Sequence, residues 1–148
     1  YSLAEKYYKK SIEIFPNGPT AHQNLAVVYE RQERYIEELG EYKKVIKING
    51  QDPEGYFGIA KTYLYRTNEL DLALKNALKA LELYKKSPPN YIGDGYQLVG
   101  LTYFYSGDEI NAKKFKDKLE LTKELNKILE KMIIENPNQW IWTHNRWK

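Results

Sequence analysis

Apolar residues recur at i, i+3 and i+4 along most of this chain, the period of helices that bury one face. The pattern is interrupted by Pro16-Asn17-Gly18-Pro19, by Asn49-Gly50-Gln51-Asp52-Pro53 and by Ser106-Gly107-Asp108. In each, turn formers end one helix and a capping residue or proline starts the next. The pattern predicts helices at about 2–14, 19–33, 36–48, 53–66, 69–85, 93–106 and 109–135. The fold class is therefore all-α.

The helices are not independent of one another. Leu25-Ala26-x-x-Tyr29, Ile59-Ala60-x-x-Tyr63 and Val99-Gly100-x-x-Tyr103 each place an apolar residue, a small residue and a tyrosine in the same register. The first two copies lie 34 residues apart and the next about 40. A second pattern follows each: Glu38-Leu39-x-x-Tyr42-x-x-Val45, Ala73-Leu74-x-x-Ala77-x-x-Ala80, and Ala112-x-x-Phe115-x-x-x-Leu119. The chain opens with the same second element, Ala4-x-x-x-Tyr8-x-x-Ser11, closed by Pro16. Small residues at Ala26, Ala60 and Gly100 allow two helices to approach closely, and the tyrosines fill the space between neighbouring hairpins. Much of the unusual complement of 14 tyrosines is explained in this way.

These spacings resemble the tetratricopeptide repeat over roughly residues 1–121. The resemblance implies a right-handed superhelix of antiparallel helix hairpins, about three and a half repeats, with 122–148 as a C-terminal helical extension and tail. Three departures stand out. Glu38 occupies a position where a small residue is expected, which predicts a looser hairpin there. The turn at Arg66-Thr67-Asn68 has one extra residue, and the connector from Lys86 to Gly93 adds about five. The first helix lacks its partner, so Leu3, Tyr7 and Ile14 are expected to expose apolar surface. With Tyr1 in place of Met, the chain reads as a fragment or a processed form.

A stack of this kind lines its concave face with the first helix of each hairpin. By repeat register that face carries Gln23, Asn24, Val27 and Arg31, then Phe57, Lys61 and Tyr65, then Gln97, Leu101, Phe104 and Tyr105. Polar groups for a peptide backbone beside aromatics for an apolar anchor predict a groove for a peptide or helix of a partner protein. The alternative for the aromatics is packing between repeats. Some members of the family clamp a C-terminal carboxylate with Lys and Asn one turn apart. The matching positions here are Gln23 with Val27 and Phe57 with Lys61, so that clamp is not expected.

The last helix continues through Phe115, Leu119, Thr122, Leu125, Leu129, Met132 and Ile133 to Asn136-Pro137. Beyond it lie all three tryptophans. Pro137, Gln139, Trp140, Trp142, His144, Arg146, Trp147 and Lys148 resemble the C-terminal end of the late acyltransferases of lipid A synthesis. That resemblance covers about 27 residues, from Thr122 onward. It implies the end of a membrane-associated enzyme without its chemistry, because the family's His-x-x-x-x-Asp pair is missing: His22 is followed five residues later by Val27. Three readings of Trp140, Trp142, Arg146, Trp147 and Lys148 stand side by side. They form a membrane-interface anchor, a cap over the open end of the stack, or the true end of a larger acyltransferase.

Composition narrows the remaining chemistry. A net charge of +3, with Lys and Glu interspersed, excludes a basic stripe for nucleic acid. The lack of cysteine removes disulfides, thiolate metal sites and cysteine nucleophiles. It fits a reducing compartment, and the expected location is the cytoplasm, at the inner face of the inner membrane if the tail is an anchor. Gly93-x-Gly95 follows no strand and is not a phosphate loop. Acidic pairs such as Glu37-Glu38 and Glu33-x-x-x-Glu37 read as solvated faces. No catalytic residue, metal or cofactor is expected, and the chain reads as a binding scaffold rather than an enzyme.

Overall fold

The computed structural model describes residues 2–86 and 91–135. Among these described residues seven α-helices follow one another: α1 (Ser2–Ile14), α2 (Pro19–Arg31), α3 (Tyr35–Ile48), α4 (Pro53–Thr62), α5 (Leu70–Tyr84), α6 (Ile92–Tyr105) and α7 (Glu109–Glu135). Pro19 and Pro53 open their helices, where a missing N–H costs nothing. Asp52 caps α4 by accepting a hydrogen bond from the Glu54 backbone N–H at 2.9 Å.

Each helix packs on the next in sequence. The closest pairs are the hairpins α2–α3, α4–α5 and α6–α7, while α1, α3 and α5 each lean on the first helix of the following hairpin. In this order α1 is a second helix without its own first helix, giving three and a half repeats. Leu3, Tyr7, Ile14 and the neighbouring Phe15 are exposed, as that half repeat requires.

Buried small residues account for the tight stacking. Ala26, Tyr42 and Ile59 join the first two hairpins. Ala60, Leu64, Ala73, Ala77, Leu81, Leu98 and Val99 join the second and third. The repeat tyrosines take up different packing positions: Tyr29 is buried, Tyr63 packs against both clusters, and Tyr103 stacks on Phe115 within the third hairpin with ring centroids 5.6 Å apart.

The turns inside the three hairpins share one device. Each has a residue in the left-handed region, Glu33 (φ 60°), Asn68 (φ 57°) and Gly107 (φ 79°). In each, the carbonyl of the repeat tyrosine accepts a backbone N–H from beyond the turn. Tyr29 accepts from Arg34 at 2.9 Å, Tyr63 from Glu69 at 3.2 Å and Tyr103 from Asp108 at 2.9 Å. The second turn spans one residue more than the others. That extra residue is taken up by a wide π-type turn over Tyr63–Thr67, so the following helix keeps its register. The left-handed Glu33 also stops α2 at Arg31, two residues short of the helix expected from periodicity.

Candidate functional site

The first helices α2, α4 and α6 carry the residues expected to line the groove, and the structure gathers them around three openings. The first is a cleft of about 520 Å³ lined by Gln23, Asn24 and Val27 of α2, Pro53 and Glu54 at the start of α4, and Tyr42, Tyr84 and Tyr91. Gln23 Nε2 donates to Asp52 Oδ2 at 2.9 Å, joining α2 to the α4 cap. The Tyr84 hydroxyl donates to Glu54 Oε1 at 2.7 Å. Burial, then the bond to Glu54 and the charges of Glu54, Asp94 and Asp52, hold that phenol proton far above its ordinary range.

The second opening, about 350 Å³, lies further along α2 and α4. Glu30, Glu38, Lys61, Thr62, Tyr65 and Arg66 line it. Lys61 pairs with Glu30 at 3.3 Å. Tyr65 is 49% exposed, and its hydroxyl pKa is raised by partial burial and by the neighbouring Tyr105. Gln97, Leu101 and Phe104 sit apart from both, in a third and more apolar cleft of about 710 Å³ between α6 and α7. Tyr105 and Arg31 are exposed and line none of the three openings. Phe57 is half-buried, edge-on to Tyr84 at 6.0 Å, in the packing between hairpins. The expected tail residues Trp140, Trp142, Arg146, Trp147 and Lys148 lie outside the described residues.

One acidic position read as a solvated face, Glu38, is corrected, while Glu33 and Glu37 are exposed as expected. Glu38 is only 2% exposed, in the small-residue position of α3, facing α4. Its Oε1 lies 2.6 Å from Thr62 Oγ1, which is also 2.9 Å from the Gly58 carbonyl oxygen, and its Oε2 is buried without a hydrogen bond. Burial raises its carboxyl pKa, with the Thr62 bond only partly opposing this. One hydroxyl hydrogen cannot serve two acceptors, so both contacts are satisfied only when Glu38 carries a proton. Glu33 lies in the turn rather than on a helix face, whereas Glu37 is exposed and pairs with Arg34 at 2.9 Å.

Sequence reasoning missed a second buried pair. His22 Nδ1 is 2.6 Å from Glu41 Oε2, its Nε2 is 3.2 Å from the Pro16 carbonyl, and Lys44 donates to Glu41 Oε1 at 2.7 Å. Both imidazole nitrogens are engaged within the fold, so the ring is a strut between α2, α3 and the preceding turn. No group of acidic, His or Cys side chains suited to a metal occurs among the described residues. No helix among them is long and apolar enough to cross a membrane.

The family described as "Tetratricopeptide repeat" matches residues 7–39, from within α1 across α2 into α3. Together with the repeated turns and buried small residues, this decides the architecture. The hairpin stack is a tetratricopeptide-repeat fold. A TPR repeat-containing protein of Methanocaldococcus jannaschii is 35% identical over 91 residues, 57% of this chain. The chain spans 14% of that relative's length. A second family, "Bacterial lipid A biosynthesis acyltransferase", matches residues 95–148, from within α6 through α7 and the tail.

Proposed function

We propose that this tetratricopeptide stack is a protein-interaction scaffold that docks a peptide or helix of a partner along α2 and α4. The supporting observation is the cleft in which Gln23, Asn24 and Val27 meet Tyr84 and Tyr91 across two repeats. Polar side chains there can meet a bound backbone, and the half-exposed Tyr91 ring, backed by the buried Tyr84, an apolar anchor. Further along, Tyr65 and the neighbouring Tyr105, 49% and 56% exposed, offer aromatic surface without a share in the core. Selection of a displayed random-peptide library on the whole chain, followed by anisotropy with a selected synthetic peptide, tests this. Tyr65→Ala and Tyr105→Ala are expected to weaken binding by about tenfold while leaving helicity intact. Selection of no peptide, or of peptides indifferent to every groove substitution, rejects the scaffold reading.

A second reading is supported by the match over residues 95–148. In it the chain includes the non-catalytic end of a lipid A acyltransferase-type enzyme, held at a membrane by Trp140, Trp142 and Trp147. Tryptophan emission that shifts to the blue with anionic vesicles, together with co-sedimentation lost in Trp140→Ala/Trp142→Ala, is the expected result. Emission indifferent to vesicles rules it out.

A further inference from the structure

The cleft between α2, α4 and Tyr84 has a one-sided charge. Asp52 and Glu54 stand at the start of α4, and Asp94 is in the first turn of α6. Among the described residues, none of the three forms an ion pair, and no lysine or arginine lines the cleft. Among the described residues, Asp52 is hydrogen-bonded only by neutral donors, the Gln23 amide and the Glu54 N–H, which orient its charge without cancelling it. Glu54 accepts the neutral Tyr84 hydroxyl on Oε1, and its Oε2 accepts no hydrogen bond among the described residues.

The field of these carboxylates is felt on both sides of the cleft. Tyr84 is affected by Glu54, Asp94 and Asp52, and Tyr42 by Glu38, Glu30 and Glu54, each adding to burial in raising the phenol pKa. This acidity is local, since the chain as a whole carries a charge of +3. The aromatic walls supply a second kind of complementarity. Tyr91 stacks on Tyr84 at 6.1 Å with an interplanar angle of 18° and is 52% exposed, presenting ring surface at the mouth. A π face beside an unneutralised carboxylate attracts a cation and repels an anion. A volume of about 520 Å³ admits a long side chain.

Resting on the groove reading, we propose that this cleft receives a lysine or arginine side chain of the docked protein segment. The cation binds the Glu54 carboxylate beside the Tyr91 ring, and the backbone of the segment runs along Gln23 and Asn24 of α2. A carboxylate-ended partner is excluded from this end of the groove by the same charges.

The peptide selected on the whole chain provides the test. Its basic residue is replaced by norleucine, and both peptides are measured by anisotropy against the unmodified chain, Glu54→Gln and Tyr91→Ala. Selected peptides are expected to share a lysine or arginine. The norleucine peptide is expected to bind the unmodified chain at least tenfold more weakly, and Glu54→Gln to abolish most of that difference. Glu54→Gln keeps the shape and an acceptor for Tyr84, and Tyr91 is exposed, so circular dichroism is expected to match the unmodified chain. Peptides that need Tyr65 and Tyr105 but bind equally well with norleucine, or a lysine preference that survives Glu54→Gln, would overturn this inference and leave the groove standing. Peptides insensitive to all four positions, or none selected, would overturn both.

Discussion

Glu33 and Glu38 show two different strains on single residues. Glu33 holds a left-handed backbone that Asn68 and Gly107 adopt more easily in the equivalent turns. A residue with a β-carbon there costs roughly 1 kcal/mol over glycine. Glu33→Gly is therefore expected to raise stability by about 1 kcal/mol in urea unfolding, less what glycine's freedom in the unfolded chain takes back. Glu38 is strained by its charge. Its folded pKa is raised above the ordinary carboxylate value, so its favourable contribution is complete below that value and is lost as pH rises through the raised one. Alanine stands at the matching positions Ala73 and Ala112, and Thr62 retains the Gly58 carbonyl as acceptor without Glu38. Glu38→Ala is expected to gain stability relative to the parent as pH rises from about 4 to 7. A gain that is equal at both pH values would show that charge burial is not the cause.

At the scale of the helix, the contact between α3 and α4 depends on an absent side chain. A β-carbon built at Gly58 would meet the Tyr42 ring at 2.3 to 2.4 Å, so the tyrosine lies flat on bare α4 backbone. Tyr42 is itself buried, so the ring is part of the α3–α4 packing. Gly58→Ala is expected to destabilise the stack by about 1–3 kcal/mol despite alanine's better helix propensity, and thermal unfolding would measure it. A rise in melting temperature would mean that propensity outweighs the clash. The helices were legible in the sequence because Pro19, Pro53 and Gly107 mark their ends and the Tyr29–Tyr63–Tyr103 register repeats. Glu38, His22 and Glu41 were not legible, because their burial depends on the neighbouring helix rather than on their own. That Gln23, Asn24 and Val27 share one cleft was legible from register. That Tyr84 and Tyr91 line it too was not, since they belong to a second helix and a connector that periodicity alone assigns to packing.

Across the described residues, each helix packs chiefly on its neighbours in sequence, so stability should fall from the centre to the open end at α1. The fully buried alanines and valines lie in α2, α3, α5, α4 and α6, whereas α1 has no buried residue. What holds α1 is a polar clasp. Glu5 accepts from Lys9 at 2.7 Å and from Arg34 at 3.0 Å, and the Arg34 guanidinium lies 4.3 Å over the Tyr29 ring. Lys9 foremost, then Arg34 and Gln32, push the Glu5 carboxyl down to about 2 from 4.5. A lowered carboxyl stabilises the fold above its ordinary pKa and ceases to do so as pH falls through the lowered value. Amide hydrogen exchange is therefore expected to show α1 opening before α4 and α5 at neutral pH, and more readily still as pH drops from about 4.5 toward 2. In Arg34→Ala the α1 amides should already exchange faster at pH 7, with part of the further acid dependence gone, the Lys9–Glu5 pair being retained, and the protection of α4 and α5 unchanged. Equal loss of protection across α1, α4 and α5 would instead mean that the stack unfolds as one unit, and that the clasp contributes to global stability rather than to local attachment of its first helix.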